Sequence, residues 1–196
     1  MGPMRRNPST VVVLAGPVPG EVLTALGRSM NVTLIRPDDS AGDGLETAAA
    51  ALQRAGRATS PYALVPADPL AAVAAAWREM WDVPGSQDGA AGFEASAALA
   101  LAAWRDRRFD LPDYYLIITP AEADGARADL YLGPLRAVRS RRVAVAGGGV
   151  PAQAGQIAAA LRSLEHGPWW PPLDEVLDAA RRFYPGGLAE TQLVTP

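Results

Sequence analysis

The sequence lacks cysteine and lysine, and it contains a single histidine, His166. Without cysteine the chain has no disulfide, no thiolate metal ligand and no cysteine nucleophile. Without lysine it has no Schiff-base chemistry and no lysine for a phosphate-binding loop. All 18 basic residues are therefore arginine. This usage, together with the alanine, glycine and proline content, is typical of a protein from a GC-rich bacterial genome. We predict neither a metal site nor a cofactor.

Charge and long apolar runs are also scarce. The net charge of −3 gives no overall attraction to nucleic acid or to anionic membranes. No stretch approaches the length needed to span a bilayer, so we expect a cytoplasmic protein. With 49% hydrophobic and 20% charged residues, the chain has the composition of a globular protein. We expect one domain over residues 1–196, with loose tails at 1–10 and 188–196.

The most informative segment of the sequence is Tyr114 to Thr119, an unbroken run of apolar and β-branched residues between Pro112 and Pro120. Such a run predicts a strand that is buried on both faces. Strands of this kind belong to sheets that are covered by helices, and helical patterns flank this one on both sides. Upstream, Leu70, Val73, Trp77 and Trp81 form an apolar stripe after an Asp68-Pro69 helix start.

The amino-terminal segment predicts a β-α-β unit, with strands at 11–15 and 32–35 that lie side by side in parallel. The glycine-rich stretch 84–92 predicts a loop. In the carboxyl-terminal half, 129–132 and 142–146 are interpreted as antiparallel strands, because the segment between 121 and 128 is too short and polar for a crossover helix. The sequence thus predicts a three-layer, Rossmann-like α/β domain whose mostly parallel sheet has an antiparallel edge in the carboxyl-terminal half.

One hypothesis places a nucleotide or dinucleotide at the strand ends of the amino-terminal unit. Gly16 and Gly20 bound a turn before a helix whose amides would bind phosphate. Asp38 would bind a ribose hydroxyl, or Arg36 a 2′-phosphate. The spacing is not that of the dinucleotide motif, and Pro19 lacks the amide that a phosphate would need. An ordinary β-α turn is the alternative interpretation.

Two further groups of residues have functional and structural interpretations. Arg136 begins an arginine-rich segment that would bind phosphate or nucleic acid, with Tyr131 as a stacking partner. If the segment is extended, however, its arginines divide between two faces, as they would on a solubilised edge strand. His166 precedes Gly167 and Pro168, where a helix is expected to end, and lacks an evident nucleophile as a partner.

Trp169 and Trp170 precede two prolines in a segment that we expect to be extended. Adjacent side chains of such a segment point in different directions, so one tryptophan would cover the core while the other lies at the surface. An exposed tryptophan on a rigid segment is a good interface anchor. Because no catalytic constellation is evident, we expect an accessory or protein-interaction domain rather than an enzyme, in contact with a protein partner or a second copy. A nucleotide-binding enzyme or sensor and an arginine-mediated phosphate or nucleic-acid binder are the alternatives.

Overall fold

A computed structural model describes residues 9–38, 44–82, 87–118, 130–138, 143–164 and 169–183. Its strands are β1 (Thr10–Ala15), β2 (Val32–Leu34), β3 (Tyr62–Val65), β4 (Tyr114–Ile118) and β5 (Val143–Ala146). Its helices are α1 (Gly20–Gly27), α2 (Gly44–Ala55), α3 (Ala71–Asp82), α4 (Gln87–Arg105), α5 (Arg136–Val138), α6 (Val150–Arg162) and α7 (Leu173–Arg182). A π-helical turn, Tyr131–Leu135, leads directly into α5.

The five strands form one parallel sheet in the order β2-β3-β1-β4-β5. The predicted antiparallel edge is therefore wrong. The described part of the first predicted edge strand, residues 130–132, is helical, and β5 pairs in parallel with β4, where Tyr115 is opposite Val143. A parallel pair needs a long crossover connection, and the chain between Ile118 and Val143 is long enough to provide one.

The amino-terminal β-α-β unit is confirmed, but its two strands are not neighbours. Strand β3 lies between β1 and β2 and pairs in parallel with both of them. A helical crossover can connect two adjacent strands or two strands that have another strand between them. Local sequence does not distinguish these two cases. The insertion of β3 brings the end of β3, rather than the end of β2, next to β1.

Strand β4 is buried along its whole length, as its composition predicts. Its even-numbered residues pack with α1 and α6 on one face of the sheet, while Tyr115 and Ile117 pack with the larger cluster of helices on the other. That larger cluster includes buried residues of α2, α3, α4, α7 and the π-helical turn. The three-layer α/β architecture is therefore confirmed. Thr119 lies outside the described residues.

The helix hairpin of α3 and α4 corrects another prediction. Leu70, Val73 and Trp77 are buried as their spacing indicates, but α4 begins at Gln87, within the stretch expected to be a loop. A Cβ atom on Gly89 would lie 2.9 Å from the Cα atom of Met80. Glycine at this position therefore allows the two helices to approach closely, which a glycine-rich loop pattern does not reveal. None of the described helices is long and apolar enough to cross a membrane.

Candidate functional site

The carboxyl ends of β1 and β3 meet at a point where the chain leaves the sheet in two directions. After β1, the buried residues Val22 and Leu26 of α1 pack on one face of the sheet. After β3, Val73 and Trp77 of α3 pack on the opposite face. In open parallel sheets, the crevice between strands whose helices diverge in this way is the usual position of a ligand site.

Gly16 lies at this point, directly after β1, with a φ angle of +109°. A Cβ atom at Gly16 would lie 2.6 Å from the carbonyl oxygen of Ile118 at the end of β4. The close approach of β4 accounts for this glycine. Helix α1 then begins at Gly20 after Pro19, and its first turn contains Glu21. A carboxylate in that turn, after a residue without an amide hydrogen, makes the helix start poorly suited to phosphate.

Arg36 and Asp38 follow β2, at the same edge of the sheet but one strand further away. Because β3 lies between β1 and β2, the ends of these two strands are about 10 Å apart. Both side chains are exposed, and the Arg36 carbonyl accepts a hydrogen bond of 2.5 Å from Arg54. A dinucleotide site of the predicted kind would need Arg36 or Asp38 next to the Gly16–Gly20 turn. The structure does not place either residue there.

Asp68 is an ionisable residue that follows β3, so the topology places it beside the end of β1. Its Oδ1 atom accepts a hydrogen bond of 2.9 Å from the Leu70 amide, which confirms its predicted role at a helix start. Its Oδ2 atom accepts a hydrogen bond from the Tyr131 hydroxyl. The residue keeps some exposure, yet its carboxyl group is desolvated by the protein around it. This burial raises the pKa of Asp68 from 3.8 to about 6, and the hydrogen bonds from Tyr131 and Leu70 act in the opposite direction.

Three aromatic residues pack in a continuous row, and two of them, Tyr131 and Tyr115, lie beside this carboxyl group. The ring centroids of Tyr115 and Tyr131 are 5.4 Å apart, and those of Tyr115 and Trp170 are 6.1 Å apart in an edge-to-face arrangement. Burial, followed by the nearby Asp68 carboxylate, raises the pKa of Tyr115 well above its usual value. We refer to Asp68, Tyr115, Tyr131 and Trp170 as the Asp68 cluster.

The Asp68 cluster contains a carboxyl group that changes ionisation near neutral pH, but its two oxygen atoms already accept hydrogen bonds within the protein. The described ranges also contain no group of three or more side chains arranged to hold a metal ion. The arrangement therefore ties the π-helical turn to the start of α3. The other ionisable groups of the Asp68 cluster are the hydroxyls of Tyr115 and Tyr131.

Comparison with family models, curated proteins and solved structures gives no match.

The predicted interface residues occupy three different environments. Trp169 is 53% exposed, whereas Trp170 is half-buried and donates a hydrogen bond of 2.7 Å to the Pro112 carbonyl. This division between one inward and one outward tryptophan is the predicted one. Tyr131 is buried in the Asp68 cluster, so it does not offer a stacking surface to solvent. Arg136 is exposed at the start of α5.

The arginine-rich segment is only partly described. Residues Arg136–Val138 are helical, so the division of arginines between the two faces of an extended segment does not apply to that part. The segment turns helical because it continues the π-helical turn, which has four buried residues, including Tyr131 and Leu135. Arg139, Arg141 and Arg142 lie outside the described residues, as does His166. Binding of nucleic acid by this segment stays a prediction.

A groove of about 470 Å³ opens at the other side of the sheet, between α1 and the edge strand β2. It does not include the Asp68 cluster or the Gly16 turn. No sequence pattern indicates this groove, because its lining comes from two elements whose contact depends on the position of β2 at the sheet edge. Its lining residues are Leu23, Thr24, Gly27, Arg28, Val32, Thr33, Leu34 and Arg36.

Proposed function

We propose that this protein is a non-catalytic interaction protein, with a contact surface centred on Trp169. The supporting observation is the contrast between the two adjacent tryptophans. Trp169 exposes 53% of its surface, while Trp170 is bound to the core through the Pro112 carbonyl and the Tyr115 ring. A large apolar side chain is thus presented to solvent from a backbone that its neighbour fixes in place.

Covering Trp169 costs little conformational entropy, because its backbone is already restricted. Pro171 and Pro172 restrict the backbone before α7, and the hydrogen bond of Trp170 fixes the segment from within. A rigid anchor loses less conformational entropy on binding than a flexible one. Removing the exposed part of a tryptophan from water contributes about 2–3 kcal/mol. One side chain of this kind changes a dissociation constant by roughly a factor of 30 to 150.

The test compares the wild type with Trp169→Ala and with a matched control, Leu99→Ala. Leu99 is 67% exposed on α4, so its substitution removes an exposed apolar side chain elsewhere. Light scattering over a range of protein concentrations measures self-association, and quantitative affinity capture from the source cells measures partner retention. We expect Trp169→Ala to weaken association while Leu99→Ala leaves it unchanged. The proposal is refuted if the wild type is monomeric and captures the same proteins, in the same amounts, as Trp169→Ala does.

A small ligand at the carboxyl edge of the sheet is a second candidate, favoured by the position of Asp68. The carboxyl group follows β3 beside the end of β1, and its pKa of about 6 allows it to bind a proton near neutral pH. A thermal-shift panel of nucleotides at millimolar concentration, with and without magnesium, tests this candidate. We expect any stabilisation to be reduced by Asp68→Asn and preserved in Asp110→Asn, which changes an exposed aspartate. An unchanged melting temperature across the panel would rule the candidate out.

A further inference from the structure

The groove between α1 and β2 has the form of a site for an extended peptide. One wall is the carboxyl-terminal half of α1, including Leu23 and Gly27, and the other is the edge strand β2. Strand β2 pairs with β3 on one side and with no described strand on the other. Its three residues are all half-buried, so they are covered by α1 only in part. A helix on one face of a sheet leaves the outward backbone groups of the edge strand accessible to an added strand.

The backbone of β2 has hydrogen-bonding groups that face this groove. The Asn31 carbonyl accepts a hydrogen bond of 3.1 Å from the Tyr62 amide, and the Ile35 amide donates one of 2.9 Å to the Leu64 carbonyl. Alternate residues of a strand direct their backbone groups to opposite sides. Residues 31, 33 and 35 therefore face β3, and the Leu34 amide and carbonyl face outward. These are the groups that an added strand binds.

The charge of the groove identifies the kind of strand that it would accept. Arg28 and Arg36 are among the lining residues, and no aspartate or glutamate of the described part of the chain is. The nearest carboxylates along the chain, Glu21 and Asp38, lie outside the lining. The Arg54 side chain donates a hydrogen bond to the Arg36 carbonyl, which adds a third cation beside the end of β2.

We propose that this groove binds an extended, acidic segment of a partner protein, which adds to β2 as a sixth strand of the sheet. The backbone of the segment pairs with Leu34, and its alternate apolar side chains contact Leu23 and Val32. Its acidic side chains lie near Arg28 and Arg36, where opposite charge both speeds association and selects against basic peptides. This surface is separate from the one centred on Trp169, so the two proposals stand or fall independently.

The test uses a fluorescein-labelled peptide of alternating glutamate and valine, with a lysine–valine peptide of equal length as the control. Fluorescence anisotropy at low ionic strength measures binding. We expect the acidic peptide alone to bind, with an affinity that falls as salt is added. The double variant Arg28→Glu/Arg36→Glu should weaken binding by roughly tenfold or more. Arg57→Glu, which reverses an exposed arginine at the end of α2, should change it by less than about twofold.

Hydrogen exchange locates the bound peptide. We expect exchange of the Leu34 amide to slow when the acidic peptide is added, and exchange of the Leu64 amide in β3 to stay the same. Trp169→Ala should bind the peptide as the wild type does. The proposal is overturned if the acidic peptide does not bind, if the two charge-reversal variants behave alike, or if the Leu34 amide is unaffected. Equal binding of the lysine–valine peptide would overturn it as well.

Discussion

Replacing Asp68 with asparagine should remove a pH-dependent contribution to the stability of the fold. Burial raises the pKa of the folded carboxyl group from 3.8 to about 6, so the folded protein binds this proton more tightly than the unfolded chain does. The contribution therefore favours folding below pH 4 and is lost as the pH rises through 6. Above that pH, the ionised carboxylate is held in surroundings that solvate it less well than water.

The magnitude follows from the difference in pKa. A rise of about 2 pKa units, at about 1.36 kcal/mol per unit, corresponds to about 3 kcal/mol of unfolding free energy. Partial exposure of the residue makes this an upper value, so we expect a change of about 2–3 kcal/mol. The groups that face Asp68 are Tyr131, Tyr115 and the Leu70 amide. The raised pKa of Tyr115 keeps that hydroxyl protonated throughout the range.

Urea unfolding followed by tryptophan fluorescence, from pH 4 to pH 8, measures the effect. The unfolding free energy of the wild type minus that of Asp68→Asn should fall by about 2–3 kcal/mol between pH 4 and pH 7. Ionisable groups that the substitution does not change contribute to both proteins; one is Glu94, whose pKa is lowered by the hydrogen bond from Arg181. Their contributions cancel in the difference, and Asp110→Asn provides the matched control at an exposed site. A difference between wild type and Asp68→Asn that does not vary with pH would refute the reasoning.

Two further substitutions test the packing. Gly16→Ala places a Cβ atom 2.6 Å from the Ile118 carbonyl at a φ angle of +109°, so we expect a loss of about 2–4 kcal/mol in urea unfolding. Gly20→Ala, with no atom within 4 Å of its Cβ position, should be neutral or slightly stabilising; equal effects of the two would contradict the role given to Gly16. Trp77→Phe removes a buried hydrogen bond of 3.0 Å to the Ala180 carbonyl and should cost about 2–3 kcal/mol. An unchanged urea midpoint would show that this contact does not hold α7 to α3.

The features predicted correctly are those that depend on neighbouring residues. The apolar run Tyr114–Ile118 specifies a strand buried on both faces whatever lies beside it. The Asp68-Pro69 pair begins a helix through the side chain of Asp68 itself. The division of Trp169 and Trp170 follows from the geometry of an extended segment, which directs adjacent side chains to different sides.

The features that the sequence did not reveal depend on contacts between distant segments. The parallel pairing of β5 with β4 requires a crossover connection, and the sequence between them shows no helical periodicity. The sequence pattern therefore favoured an antiparallel edge, although the edge is parallel. Tyr131 and Asp68 are 63 residues apart, and nothing local indicates that the phenol reaches the carboxyl group. One signal was available: an aspartate directly after a buried strand is an ionisable group near the carboxyl edge of the sheet. The groove beside β2 could not be anticipated, because it depends on the strand order.

The position of β1 affects how the chain acquires its structure during synthesis. In the direction of synthesis this strand precedes both of its partners, which begin at Tyr62 and Tyr114. One side of β1 therefore stays unpaired until β3 has been synthesised, and the other side until β4 has followed. We expect amino-terminal fragments that end before β4 to aggregate rather than fold, and chaperones that bind nascent chains to engage the first strand.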